Sequence, residues 1–389
     1  MKNAAGLRQG ALDILLHNLN GPYYGLPRTA GWGYPEPYTR DWMIAALGIL
    51  VTQNEELLDA LRRLMVTLAQ GQSRLGHIPS LAHEPNDRGS SDTTPLFLIA
   101  VALYRSVTGE ADFLEEGVQK ALTWLDYQSP DDCGLVAQQP TSDWRDEQWV
   151  LGYGLYVNTL VYACARVYGR DERARSVHRL INQTGARHVQ AEEVVHEGLG
   201  LESRPYYALW AYKVHQSERF DLLGNSLAIL FGLASPNKAN EIITWVETTC
   251  ETLRASGRLA GALPPCLMPY IEPQDEDWRP RYQQFNQPGE YHNGGIWPFI
   301  TGFYIAALVS AGHKDLAREK FTALSGLVQA ARSDGLPFGF NEWHRAQDCK
   351  PQGQDWQTWS AAMYIFAAAC VEENRVPFFS DWTQASRST

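Results

Sequence analysis

Two acidic stretches from opposite halves of the chain carry residue types that could share one reaction. "PTSDWRDEQWVLGYGLYVN" offers Asp143, Asp146 and Glu147 around Trp144, just ahead of an apolar helix. "FGFNEWHRAQDCKPQGQDWQTW" offers Glu342 between Asn341 and Trp343, with Trp356 and Trp359 to follow. Hydrolysis of a glycoside needs a proton donor for the leaving oxygen and, for inversion, a second carboxylate that activates water on the opposite face. Acids from two separate segments suit that division of labour. An acid set among indoles loses solvent, which raises its pKa toward the range a proton donor needs.

Each acid also has a plain structural reading. Asp143 and Asp146 both fit the donor role, and both fit helix N-capping, since free N–H groups and the helix dipole favour Asp at a helix start. Glu342 stands three residues before Arg345, a spacing that suits a surface salt bridge. Phe338, Phe340 and Trp343 around it argue against a solvated face.

Further candidates stand at the mouths of buried helices, where a sugar could meet them. Arg40, Asp41 and Trp42 in "YTRDW" come first, then Asp92 in "SDTTPLF", Trp144, Asn158, and His292, Asn293 and Trp297 in "EYHNGGIWPF". Trp343, Trp356 and Trp359 complete the set of expected substrate-binding residues. Arg40 and Asp41 could equally form a structural ion pair, and Asp92 before Thr-Thr-Pro is also a good helix start. Many of the 13 Trp and 18 Tyr of this chain stand in Gly/Pro/Asp-rich segments. Rings mixed with carboxylates and amides are the usual lining of a sugar site, because pyranose C–H faces stack on rings while hydroxyls bond to polar groups. No HExxH, Walker loop, GxGxxG after a strand or GxSxG elbow is present, so no metal site and no cofactor is expected.

Helices must position these residues. Apolar residues at helical spacing recur over 4–17, 41–52, 54–70, 93–108, 112–127, 151–168, 171–183, 205–215, 221–234, 238–253, 296–312, 315–331 and 356–372. Some stretches, such as "RDWMIAALGILV" and "GIWPFITGFYIAALVSAG", are apolar nearly all round; others, such as "EELLDALRRLMVTLAQG", carry a charged face. Their alternation predicts two concentric rings, an all-α (α/α)6 toroid formed by residues 1–389 as a single domain with the site at one mouth. An α-solenoid would show a fixed short period, which the unequal loops lack. Residues 255–295, rich in Pro, Gln and Tyr, are too long for a simple connector and are expected to form a lid or loop over the mouth.

The totals exclude several classes. A hydrophobic content of 44% with 20% charged residues describes a chain that buries a sizeable core. A net charge of −11 disfavours nucleic acid and anionic membrane as partners. No apolar run approaches the roughly 20 residues of a membrane span. The six cysteines (Cys133, Cys164, Cys250, Cys266, Cys349 and Cys370) show no CxxC pair and read as free thiols of a cytoplasmic protein. The expected partner is a small carbohydrate, with a homo-oligomer left open.

Six segments in order, "YTRDWMIAALG", "DTTPLFLIAVALY", "SDWRDEQW…LYVNTLVYA", "RFDLLGNSLAILFGLA", "EYHNGGIWPFITGFYIAAL" and "FNEWH…GQDWQTWSAAMYIFA", resemble the amylo-α-1,6-glucosidase type of glycoside hydrolase and the related alkaline/neutral invertases, all six-hairpin glycosidase-like proteins. The resemblance runs from about residue 22 to 372. It implies an (α/α)6 barrel and metal-independent, inverting, exo-acting hydrolysis of an α-linked glucoside, here a small one that releases glucose. It implies Asp146 as donor, two residues after the Trp of a "TWMD"-like motif that here reads "DWRD", so that Asp143 disputes the role. Glu342 is then the base, and Arg40, Asp41 and Asp92 line the glucose subsite. The chain lacks the large accessory domains of glycogen debranching enzymes, and "RDEQW" does not reproduce the consecutive arginines of the invertase motif. Sucrose is the second candidate substrate. A sugar 2-epimerase with paired histidines, and a sugar-binding protein without catalysis, are the rival readings of the same barrel.

Overall fold

A computed structural model describes residues 2–130, 134–184, 198–213, 215–380 and 382. In chain order its helices are α1 (Lys2–His17), α2 (Thr39–Thr52), α3 (Glu55–Gln70), α4 (Thr93–Thr108), α5 (Glu115–Asp126), α6 (Leu155–Val167), α7 (Asp171–Asn182), α8 (Leu222–Leu230), α9 (Pro236–Ala255), α10 (Tyr282–Phe285), α11 (Pro298–Ser310), α12 (Lys314–Leu327) and α13 (Thr358–Glu373). Helices α2, α4, α6, α8, α11 and α13 each pack on the next, and α13 closes on α2. Outside this ring α1 packs on α13, α3 on α2, α5 on α4, α7 on α6 and α12 on α11. The architecture is the all-α (α/α)6 toroid.

Residue pattern decides which ring a helix joins. In α11 every residue from Pro298 to Val309 is buried, and in α13 every residue from Thr358 to Cys370. Helix α3 instead buries only Leu57, Ala60, Leu61, Leu64, Met65 and Leu68, a stripe at i, i+3 and i+4; α9 shows the same one-sided burial through Ala239, Ile242, Ile243, Val246, Cys250 and Leu253. Each fully buried Leu adds about 1.5–3 kcal/mol. The seam between α2 and α13 needs Gly48, because a Cβ there would stand 2.0 Å from the Ala362 carbonyl oxygen. Two outer helices start on side-chain caps: at α3 Asn54 accepts from the Leu57 N–H, and at α9 Ser235 accepts from the Lys238 N–H with Pro236 at the first helical position.

Short strands occupy the loops that lead into inner helices. They are β1 (Tyr153–Gly154), β2 (Trp210–Tyr212), β3 (His215–Ser217), β4 (Phe220–Asp221), β5 (Leu267–Met268), β6 (Trp343–His344) and β7 (Pro351–Gln352). β1, β2 and β3 form one antiparallel sheet, β4 pairs with β5, and β6 pairs with β7 in the register Trp343 to Gln352. The helix expected over 205–215 is therefore corrected to the β2–β3 hairpin. In its stretch, buried Ala211 stands between half-buried Trp210 and Tyr212, the period of a strand, and β-favouring aromatics outweigh the apolar count.

Three asparagines each clamp both backbone groups of a distant residue. The Asn158 amide accepts from Val136 N–H and donates to its carbonyl, Asn225 does the same for Tyr207, and Asn293 for Ile271. These side chains replace strand ladders where the loops have none. Cys164, Cys250, Cys266, Cys349 and Cys370 carry no disulfide, while Cys133 lies outside the described residues. Among those residues no helix is long and apolar enough to cross a membrane.

Candidate active site

A small pocket of about 100 Å³ opens where the amino-terminal ends of α2, α11 and α13 converge. Tyr38, Trp297 and Gln357, the residues that precede these three helices, line it, with Arg40 and Asp41 from the first turn of α2 and Trp359 from that of α13. Trp144 and Asp146 enter from the loop before α6, Tyr291 and His292 from the loop before α11, and Glu342 from the base of the β6–β7 hairpin. Thr29 and Tyr34 complete the wall. Inner helices thus aim their positive ends at a site that holds three carboxyl groups.

The rings form a box. Trp144 meets His292 edge-on at 5.0 Å and Trp297 at 5.2 Å, His292 stacks on Tyr291 at 3.9 Å, and Trp359 stands edge-on to Trp297 at 6.0 Å. Several buried polar atoms in this box have no hydrogen-bond partner among the described residues: Nε1 of Trp144 and of Trp359, both nitrogens of His292, and Oε1 of Gln357. A buried polar atom left unpaired costs about 1–3 kcal/mol. Five such atoms gather around one pocket, with His292 Nε2 standing 3.7 Å from Asp146 Oδ1.

The carboxyls differ in environment. Glu342 is buried, and its pKa is pushed up to about 8, first by burial and then by the charges of Asp41 and Asp146, against a hydrogen bond from the Gln354 N–H. Asp41 is raised to about 7, chiefly by burial, with Arg40 and the Gln357 amide pulling the other way. Asp146 is raised by the protein around it and by Glu147, and lowered by Arg40. Solvent still reaches 65% of the Asp146 side chain from the pocket mouth, so its shift is the softer one. Burial and the nearby Arg145 and Arg40 charges hold His292 well below the usual imidazole range, so it is neutral at pH 7.

Asp143 does not reach the pocket. It is buried, accepts from Arg145 Nη2 at 2.6 Å, from the Arg145 N–H at 2.8 Å and from Gln138 at 3.0 Å, and Arg145 bridges on to Asp221 at 3.1 Å. These contacts overcome the burial that would raise its pKa and hold it low. Asp143 is an anchor for the loop and cannot serve as the donor, so of the two expected acids only Asp146 faces the pocket.

The other expected residues divide. Trp144, His292, Trp297, Trp359, Arg40 and Asp41 line the pocket, whereas Asp92 lies behind Arg40, accepting from its Nε at 2.6 Å. Arg40 thus pairs with Asp92 rather than Asp41. Trp42 is a core residue whose Nε1 donates to the Arg28 carbonyl, and Asn158 and Asn293 are consumed by the backbone clamps. Trp343 stacks behind Trp297 at 6.5 Å, and Trp356 packs on Trp32, His17 and Phe338 away from the pocket. Arg345 pairs with Asp348, so the alternative reading of Glu342 as its surface salt-bridge partner does not hold. Sequence reasoning missed Thr29, Tyr34, Tyr38, Tyr291 and Gln357. The aromatic cluster "GWGYPEPYTRDW" was the available signal for the first two tyrosines.

The segment 255–295 braces the Asp146 loop. Arg281 pairs with Glu147, Asn286 donates to the Glu147 carbonyl, and the Trp149 N–H donates to Tyr282 Oη at 2.8 Å. Among the described residues no group of three or more His, Cys, Asp or Glu gathers in a way that would hold a metal ion.

The double ring, with its pocket at the inner-helix amino termini, is the (α/α)6 toroid fold. Residues 206–374, which include Glu342 but not Asp146, match the family model of alkaline and neutral invertase. The chain is 29% identical over 161 residues to probable alkaline/neutral invertase D of Arabidopsis thaliana, an overlap that covers 40% of this chain and 27% of that protein. With cytosolic invertase 1 of Oryza sativa subsp. japonica the identity is 30% over 158 residues, covering 40% and 26%. The chain therefore spans little more than a quarter of the length of these curated relatives. Among solved structures, the GH63 mannosylglycerate hydrolase of Thermus thermophilus in complex with Tris and D-glycerate superposes with a TM-score of 0.67 at 16% identity, covering 93% of this chain and 100% of that one. A wild-type glycosidase gives 0.64 at 14%, covering 95% and 97%. At these identities the structural likeness concerns the fold.

Proposed function

We propose that the protein is a glycoside hydrolase that removes glucose from a small α-glucoside with inversion, Asp146 protonating the leaving oxygen and Glu342 deprotonating the attacking water. One observation carries this reading: Asp146 and Glu342, from opposite halves of the chain, face a single ring-lined pocket whose unpartnered donors await hydroxyl groups. A pocket as small as about 100 Å³ favours a terminal sugar unit over an internal stretch of a polymer, and hence exo action. Trp144, Trp297 and Trp359 offer stacking faces, and the Asp41 carboxyl, which lines the pocket beside Arg40, offers an oxygen for a hydroxyl. No step calls on a cofactor.

The particular glucoside is chosen by the aglycone. Similarity to invertases over residues 206–374 favours sucrose, and the fold shared with a mannosylglycerate hydrolase favours a glucoside of a short acid or polyol. A cytoplasmic place fits the free cysteines and the cytosolic rice relative. The test is glucose release from sucrose, isomaltose, maltose, trehalose, glucosylglycerol and glucosylglycerate, with Asp146→Asn and Glu342→Gln alongside. Release from one of them, lost by at least about a hundredfold in both variants, is expected. No release from any, with binding intact, would make this a sugar-binding protein.

A further inference from the structure

A second and larger cavity lies on the other side of the Asp146 loop. Asp146 lines the pocket, whereas Gln148 and Trp149 line a cleft of about 1000 Å³. The two cavities share no lining residue. Small-ligand sites span roughly 300–1000 Å³, so the cleft, at the upper end of that range, has room for a molecule of several rings.

Its walls come from the β2–β3 hairpin, from α9 and from residues 269–282. Trp149 is exposed, and Trp210, Tyr212 and Trp245 are half-buried, so each shows part of a ring to the cleft. Ring faces of this kind bury the C–H face of a pyranose. Gln148 stands among them, 1% exposed, and neither atom of its amide finds a hydrogen-bond partner among the described residues. Leaving the donor and acceptor of a buried amide both open is unfavourable, and a vicinal diol supplies both complements.

Charge narrows the ligand class. Arg219 is held by Asp275 at 2.7 Å and Asp277 at 2.8 Å, Arg204 pairs with Glu218 at 3.4 Å, and the Arg279 guanidinium lies over Trp149 at 5.2 Å. The cations are engaged within the wall, which favours a neutral, hydroxyl-rich occupant over an anion.

We propose that this cleft is a second carbohydrate site, which takes a neutral oligosaccharide of two or more hexose units on Trp149, Trp210 and Trp245, with Gln148 hydrogen-bonding its hydroxyls. It goes beyond the hydrolase reading and does not depend on which glucoside the pocket cleaves. Because Trp149 and Tyr282 join the cleft to the Asp146 loop, an occupant sits against the segment that carries the donor.

The test is calorimetric titration of the full-length Glu342→Gln protein, which leaves sugars uncut, with maltotriose and with raffinose. One of the two is expected to bind with a Kd of about 1 mM or tighter, and glucose at saturating concentration is expected not to displace it. Trp210→Ala combined with Gln216→Ala, a second residue of the hairpin that lines the cleft, should weaken that binding at least about tenfold with Tm unchanged. Trp149→Ala, whose ring is already exposed, gives an independent variant if the hairpin change unfolds the protein. Binding of neither trisaccharide, binding competed by glucose, or binding that survives both sets of changes would overturn the proposal. Glucoside hydrolysis in the wild type stands or falls separately.

Discussion

Gly353, at the end of β7, lies directly against Glu342: a Cβ on Gly353 would stand 2.2 Å from the Glu342 Oε2. The glycine also has φ +68°, a left-handed conformation that costs other residues roughly 1–2 kcal/mol. Backbone and side chain together fix where the carboxyl stands, with the Gln354 N–H holding its oxygen at 3.3 Å.

Gly353→Ala should therefore displace Glu342 while sparing the barrel. A shift of about 1 Å in a catalytic group costs on the order of a hundredfold in rate. The expected result is a fall in kcat of about that size, a Tm lowered by a few degrees, and little change in glucose binding. Unchanged kcat would mean that Glu342 does not act from this position.

The roles of the two acids separate on a substrate whose leaving group needs no proton. With α-glucosyl fluoride, Asp146→Asn should retain much of its rate and Glu342→Gln should lose it. In the Asp146→Asn protein kcat/KM should rise with pH, reach half its maximum near or just below 8 and level off about one pH unit higher, since only ionised Glu342 accepts the proton of water and its pKa stands at about 8. A rate that falls through the same range would assign the donor role to Glu342.

Near neutral pH the free pocket keeps a proton on Glu342 in most molecules, so the reactive arrangement, with the proton on Asp146, is a minor member of a coupled set that includes Asp41. Wild-type kcat/KM on ordinary glucosides should accordingly follow a bell whose alkaline limb falls near 8.

Holding Glu342 ionised should also cost stability. Its folded pKa of about 8 lies above the usual 4.5, so stability present below 4.5 is lost progressively as pH rises through 8. Glu342→Gln removes the titrating group, and its Tm relative to wild type should climb between pH 6 and pH 8.5. A difference that stays constant over that interval would place Glu342 in a solvated site.

Asp143 and Asp146, three residues apart, should fail in different ways. Asp143→Asn weakens the buried Arg145 bridge and leaves Arg145 undercompensated, so a loss of about 3 kcal/mol or more in unfolding free energy is expected, with the pH profile of remaining activity unchanged. Asp146→Asn, at the solvent-reached mouth, should keep its Tm and lose activity on ordinary glucosides.

The helices and their two rings were legible in sequence because burial on all sides and burial on one side leave different periodic traces. Glu342 and Asp146 were legible because acids beside indoles are uncommon on a solvated surface. The hairpin at 205–217 was not, since a short aromatic run fits either period until its neighbours are known. Asn158 and Asn293 misled because a helix-mouth amide serves a sugar or a neighbouring backbone equally well, and only the fold shows Val136 and Ile271 in reach. Asp143 and Asp146 could not be ranked because Asp221, which with Asp143 fixes Arg145, comes from the far side of β1 to β3. Tyr34 and Tyr291 reach the pocket through loop geometry that no periodicity records.

Inversion by Asp146 and Glu342 is tested most directly by following the anomeric protons by NMR during the first minutes of hydrolysis, before mutarotation mixes the forms. β-Glucose should appear first from the α-glucoside that the protein cleaves, and neither Asp146→Asn nor Glu342→Gln should produce it. α-Glucose appearing first would mean retention through a covalent intermediate, and would contradict the role of Glu342 as the base that activates water.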